Sequence, residues 1–155
     1  MFTKYIILFL LQQINQITHW LDSSNVYGSN EEDKRKLRTF RNGLLRSRTD
    51  SNGEEFLPQN REAECIGGSS TKCFLAGMLF LKCLNSYFSR YFYLGDSRVN
   101  EQPNLAIMHT LFLREHNRIA KNLKRLNPRW TDEKLFEESK RIVNTEWQHI
   151  VYNEW

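Results

Sequence analysis

From Pro103 onward, apolar residues recur at helical spacing. Leu105, Met108, Leu111, Phe112, Ile119, Leu123 and Leu126 follow one another at mixed spacings of three, four and seven. That pattern predicts an amphipathic helix over about 104–126 with one broad apolar face. Asn127-Pro128 should end it, because proline disfavours helical geometry in the residue before it. Thr131 is a good N-cap, and Asp132 and Glu133 suit the positive end of a helix, so a second helix is predicted over about 131–154. Leu135, Ser139, Ile142, Val143, Trp147, Ile150 and Val151 would form its inner face.

The N-terminal half is patterned more weakly. Residues 12–30 alternate polar and apolar and run into two turn-forming clusters, Asp22-Ser-Ser-Asn25 and Tyr27-Gly-Ser-Asn30. Residues 31–63 are polar and charged and predict surface loops, with short extended pieces near Leu37–Phe40 and Gly43–Leu45. Residues 78–95 differ in kind, since six of these eighteen residues are aromatic. Their polar positions (Lys82, Asn85, Ser86, Ser89 and Arg90) recur at three and four, which allows an amphipathic helix. Such a helix could lie on a membrane or a partner, or in a core; alternatively the segment is foreign to the domain. No internal repeat is present.

Composition narrows the class without naming a function. The chain has 155 residues, 40% hydrophobic and 26% charged, which is globular rather than disordered composition. Its net charge of +4 is spread along the chain with no long polybasic tract, so nucleic acid is not indicated as a partner. The apolar run Tyr5–Leu11 is too short to span a membrane, which needs about 20 residues. Lys4 before it resembles the start of a signal peptide, but no small-residue cleavage site follows. A buried helix start or a chain-start artefact fits as well.

Three cysteines are present, Cys65, Cys73 and Cys83. Cys65 and Cys73 flank a loop rich in glycine and serine, so a disulfide and a pair of free thiols are both open on spacing alone. The spacing fits no paired zinc pattern.

Two short segments carry candidate chemistry. Thr18, Asp22 and Ser24 offer side-chain oxygens, and Trp20 its carbonyl, at every second residue of one loop. Alternate oxygen ligands are how a short segment wraps a hard cation such as Ca2+, although a single carboxylate cannot complete a shell of six to eight oxygens. Arg98 and Glu101 stand just before the long helix, where both can face one cleft. By pattern alone a surface ion pair at a helix entry is the favoured explanation. His109, His116 and His149 lie among large residues on the predicted helices and read as packed or hydrogen-bonded histidines.

Together these segments resemble one family. Ile17-Thr-His-Trp-Leu-Asp-Ser-Ser-Asn-Val-Tyr-Gly-Ser29 is similar to the calcium-loop motif of animal haem peroxidases. Cys73-Phe-Leu-Ala-Gly77, continued by Asp96-Ser-Arg-Val-Asn-Glu-Gln-Pro103, resembles their distal-side motif. Met108-His-Thr-Leu-Phe-Leu-Arg-Glu-His-Asn-Arg118 resembles the helix that follows, and Leu126-Asn-Pro-Arg-Trp130 its end. The likeness covers most of 14–77 and 96–155, with the flavour of the peroxinectin and chorion-peroxidase branch.

The resemblance implies a mainly α fold, of which this chain is a fragment with a loop-rich N-terminal half. It implies a haem, hydrogen peroxide and a small-molecule or tyrosyl donor, in a secreted protein. Arg98 matches the distal arginine, and Glu101 the glutamate that in several members forms an ester to a haem methyl. Gln102 stands where some members carry a methionine in a sulfonium link, so that bond is not expected. Thr18, Trp20, Asp22 and Ser24 match the calcium ligands, and Cys65 and Cys73 a short-loop disulfide. None of the four histidines matches either haem histidine, so the chain alone is expected to be inactive. Residues 12–155 form the expected partial domain, and 1–11 and 78–95 read as foreign to it. The competing readings are a non-enzymatic, peroxidase-like adhesion or extracellular fragment and a small basic protein that binds membrane surfaces.

Overall fold

A computed structural model describes residues 18–60, 91–92, 94–100 and 102–155. In chain order these form α1 (Ser24–Tyr27), α2 (Glu31–Leu37), β1 (Arg48–Thr49), β2 (Glu55–Phe56), β3 (Gln59–Asn60) and β4 (Tyr91–Phe92). A 3-10 turn (Ser97–Asn100) then leads into α3 (Pro103–Leu126) and α4 (Asp132–His149), and a π-helical turn (Ile150–Glu154) extends α4. The fold is mainly helical, as the family resemblance implied. Among the described residues, no helix is long and apolar enough to cross a membrane.

The two long helices start and stop for the reasons their sequence gives. Pro103 sits in the first turn of α3, where its missing N–H costs nothing and its fixed φ suits a helix. Asn127, just before Pro128, closes α3 by donating its N–H to the Leu123 carbonyl. At the start of α4 the Thr131 hydroxyl accepts the Lys134 N–H, and Asp132 and Glu133 fill the first turn.

The buried stripe of α3 departs from the expected one. It runs through His109, Phe112, Leu113, His116, Asn117, Ile119 and Ala120. Met108 (47% exposed), Leu111 (56%) and Leu126 (71%) lie outside it, as does Ile107. Hydrogen bonding explains part of the difference: His116 and Asn117 enter the core because each finds a buried partner there, while His109 bonds back to the Leu105 carbonyl of its own helix. On α4 the buried residues are Leu135, Phe136, Ser139 and Val143, whereas Ile150 is exposed.

α2 replaces part of the expected surface loop. The Asn30 side chain caps it by accepting the Asp33 N–H. Glu31, Glu32 and Asp33 occupy the first turn and Lys34, Arg35 and Lys36 the last, so both ends suit the helix dipole. Leu37, its last residue, is buried. Beyond it, Arg38 and Leu45 form an isolated antiparallel bridge, in the region where two extended pieces were expected.

The core lies where the α3–α4 hairpin meets the N-terminal segments. Val26, Tyr27, Leu37, Leu45, Leu57, Leu94 and Val99 pack there against Phe112, Leu113, Ile119, Phe136 and Val143. Side chains of the hairpin also bind the backbone of the 38–45 loop. Asn117 accepts the Leu45 N–H and donates to the Leu45 carbonyl, standing in for a strand. Asp132 accepts from the Gly43 N–H and from the buried Arg38 guanidinium, which lies over the Phe136 ring. Two small antiparallel ladders, β1–β2 and β3–β4, complete the described structure.

Candidate functional site

The loop before α1 brings three of its four candidate ligands together. Thr18 Oγ1 donates to Asp22 Oδ1 at 2.8 Å and lies 2.8 Å from Ser24 Oγ. Asp22 Oδ1 also accepts the Ser24 backbone N–H at 3.0 Å. One carboxylate and two hydroxyls thus converge, a set of hard oxygen donors. Ser23 bends the loop by adopting a left-handed backbone, and its buried hydroxyl has no protein partner among the described residues. The Trp20 indole is 69% exposed and stacks on His19. No group of three or more histidine, cysteine, aspartate or glutamate side chains is gathered for a metal among the described residues.

The second segment is joined to the first through the main chain. Gly95 N–H donates to the Val26 carbonyl at 3.2 Å and Asp96 N–H to the Asn25 carbonyl at 3.0 Å. The approach is close enough to require glycine. A Cβ on Gly95 would stand 2.2 Å from the Gly28 nitrogen and 2.6 Å from the Ser24 carbonyl oxygen. Leu94, just before it, is buried in the core. The oxygen-rich loop and the turn that bears Arg98 therefore rest on the same short helix, α1.

Asp96 organises that turn. Its Oδ1 accepts the Arg98 backbone N–H at 2.8 Å, and its carbonyl accepts the Val99 N–H at 3.2 Å. The same carboxylate receives the Arg98 guanidinium side-on, with Nη2 to Oδ2 at 2.7 Å and Nε to Oδ1 and Oδ2 at 3.1 and 3.2 Å. Burial alone would raise the Asp96 carboxyl. The hydrogen bonds and charge of Arg98, aided by His109, outweigh it and hold the group below the usual carboxylate range. The Arg98 side chain itself is half exposed, so a cation reaches outward from a buried anchor.

The histidines occupy structural places. His109 is buried on α3, and its Nδ1 lies 2.7 Å from the Leu105 carbonyl, which can only accept. Its Nε2 is buried without a protein partner among the described residues. His116 is enclosed between the Tyr27 hydroxyl and the Gly43 carbonyl. His149 lies exposed near Asn153 and Glu154.

Of the residues singled out by sequence, Thr18, Asp22 and Ser24 are brought together, and Arg98 stands on a turn hydrogen-bonded to the same helix. Glu101, Cys65 and Cys73 lie outside the described residues, as do 1–11 and most of 78–95. Sequence reasoning passed over Asp96 as a partner for Arg98. The available signal was an aspartate two residues ahead of the arginine, a spacing at which aspartate bonds the backbone N–H.

Comparison with known proteins gives a consistent result. The family model described as "Animal haem peroxidase" matches residues 10–155. The Caenorhabditis elegans protein "Peroxidasin homolog pxn-1" is 41% identical over 153 residues, covering 93% of this chain and 10% of that protein. The Aedes aegypti protein "Chorion peroxidase" is 37% identical over 144 residues, covering 93% of this chain and 16% of that protein. Peroxidase A from Dictyostelium discoideum superposes with a TM-score of 0.69 at 29% identity, over 92% of this chain and 25% of its own. A fatty acid alpha-dioxygenase from Oryza sativa superposes with a TM-score of 0.56 at 25% identity, over 86% and 16% of the two chains. The chain spans a quarter or less of the length of each of these proteins.

Proposed function

The chain belongs to the animal haem peroxidase family, and from that premise we propose that it supplies the arginine-bearing side of a peroxidase site. The whole protein would reduce hydrogen peroxide at a haem while oxidising a small-molecule or tyrosyl donor. The observation that carries this reading is Arg98, a half-exposed guanidinium held by a buried carboxylate at the entry to α3.

Haem, when bound, supplies the redox chemistry. Arg98 suits such a site, because its guanidinium would supply N–H donors to negative charge on a peroxide oxygen. Such a donor is most effective when fixed in advance, and the Asp96 carboxylate fixes it. The proposed iron ligand is none of the described histidines, because none of them matches the family's haem histidines. His109 and His116 are buried in the core, and His116 is held on both ring nitrogens by Tyr27 and Gly43. In this reading the iron's histidine comes from another part of the domain, and the chain alone does not turn over peroxide. Glu101 is the proposed haem-ester residue.

Thr18, Asp22 and Ser24, with the Trp20 carbonyl, are the proposed Ca2+ ligands. Their convergence supports it, as does the Ser23 hydroxyl beside them, which has no protein partner among the described residues. Further oxygens from elsewhere would complete the shell. Cys65 and Cys73 are the proposed disulfide, which accords with a secreted protein.

The test has two parts. Haemin added to the chain alone should keep the broad Soret band of free haemin, neither shifted nor sharpened. In a haem-loaded peroxidase domain containing this chain, Arg98→Gln should slow peroxide reduction by about 100-fold or more, as for loss of a donor to developing negative charge. Unchanged turnover in R98Q would remove Arg98 from the site, whereas a domain containing this chain that takes up no haem would favour a non-enzymatic role.

A further inference from the structure

We propose that Asp96 is a positioning residue for Arg98, a buried carboxylate that sets the direction in which the guanidinium meets peroxide; this rests on Arg98 being the peroxide-side cation. Three observations carry it. First, the contact is side-on and multiple. Nε and Nη2 both reach the carboxylate, at distances from 2.7 to 3.2 Å. Two nitrogens of a planar guanidinium on one carboxylate fix the orientation of the plane as well as its location.

Second, the anchor is itself immobilised. Asp96 donates its N–H to the Asn25 carbonyl, and its carbonyl and Oδ1 hold the N–H groups of Val99 and Arg98. The glycine before it is pressed against α1 with no room for a side chain. A displacement of the carboxylate would therefore break its bond to the Arg98 N–H or move the turn off α1.

Third, the exposures of the partners differ. The Asp96 side chain is 10% exposed and that of Arg98 50%. An ordinary surface pair leaves both partners in water and does little to either. A buried carboxylate needs its counter-charge, so the guanidinium is tied to one place even though its outer part meets solvent. The pair thus converts a long side chain with many rotamers into a directed donor.

The experiment uses Asp96→Asn, which keeps an oxygen to accept the Arg98 backbone N–H but removes the charge from the fork. In the full chain, 15N NMR reads exchange of the Arg98 Nε–H with water. Exchange should accelerate by about 10-fold or more once the charge-assisted bonds are lost. In the haem-loaded domain, D96N should slow peroxide reduction by about 10- to 100-fold, the usual effect of a small misplacement of a catalytic group. The donor KM should stay unchanged.

A second background separates the causes. In R98Q, adding D96N should change the rate by less than about 2-fold, because the two substitutions would remove one device. Equal losses in both backgrounds, or an unaltered Nε–H exchange in D96N, would overturn the proposal. An R98Q protein of normal turnover would instead defeat the assignment of Arg98 itself, and the positioning role with it. If D96N does not fold, Asp96→Glu keeps the charge and moves the guanidinium, with a smaller loss expected in both measurements.

Discussion

The Tyr27 hydroxyl lies 2.8 Å from Nδ1 of His116, across 89 residues of chain and entirely within the core. The other ring nitrogen, Nε2, lies 2.8 Å from the Gly43 carbonyl. A carbonyl only accepts, so Nε2 carries the proton and Nδ1 accepts from Tyr27. Neutral imidazole satisfies both neighbours, whereas imidazolium would face the Tyr27 hydroxyl with a second donor. Burial lowers the His116 pKa to about 4, opposed by the Gly43 hydrogen bond and reinforced by the charge of Arg38.

A pH dependence follows with a definite sign. His116 has a depressed pKa in the folded chain, so its contribution is complete above the unfolded value of about 6.5 and declines as pH falls toward 4. The shift corresponds to about 3 kcal/mol of stability. Urea unfolding at pH 7 and pH 4.5 should show most of that loss, and His116→Gln should be flatter over the same interval. An equal decline in both proteins would assign the acid sensitivity to the carboxylates.

Tyr27→Phe should destabilise the chain at neutral pH by about 1–3 kcal/mol, since it leaves a buried ring nitrogen without its donor. Thermal or urea unfolding measures this directly. A change within error would mean that water reaches Nδ1 once the hydroxyl is gone.

Gly95→Ala and Gly53→Ala separate crowding from backbone preference. At Gly95 the new methyl would meet main-chain atoms at 2.2 and 2.6 Å, so the turn must shift at a cost of about 1–3 kcal/mol. Gly53 has a left-handed φ of 83° but open space around it, so the cost should be about 1 kcal/mol. Only the Gly95 variant should also perturb the Arg98 guanidinium signals.

Calcium should stabilise the chain by mass action if Thr18, Asp22 and Ser24 hold it. Melting temperature should rise with CaCl2 in the parent and stay level in Asp22→Ala. The same rise in both would place any bound ion elsewhere.

The elements with strong periodicity are legible in the sequence. The start of α3 at Pro103 and the cap of α4 at Thr131 follow from local chemistry that tertiary contacts do not alter. The inward face of α3 was legible only in part. Hydrophobicity ranks Met108 and Leu111 above His109, His116 and Asn117, yet the partners of those three lie far away or one helical turn back. α2 was missed for the opposite reason, because its signal is an order of charges rather than an apolar stripe. In the candidate site, the sequence named Arg98 and the oxygen-rich loop. Their common support on α1 is a main-chain contact between distant segments, which no residue type announces.

The close fit at Gly95 also sets a rule for changes in chain length. Whatever precedes Asp96 must end in a residue without a Cβ, and just before it must come an apolar side chain for the core, as Leu94 supplies. The segment 78–95 meets the glycine requirement from both sides, since it follows Gly77 and closes with Gly95. A transcript lacking those eighteen codons would still place a glycine before Asp96 in sequence, but it would take Leu94 out of the core and one strand out of the β3–β4 ladder.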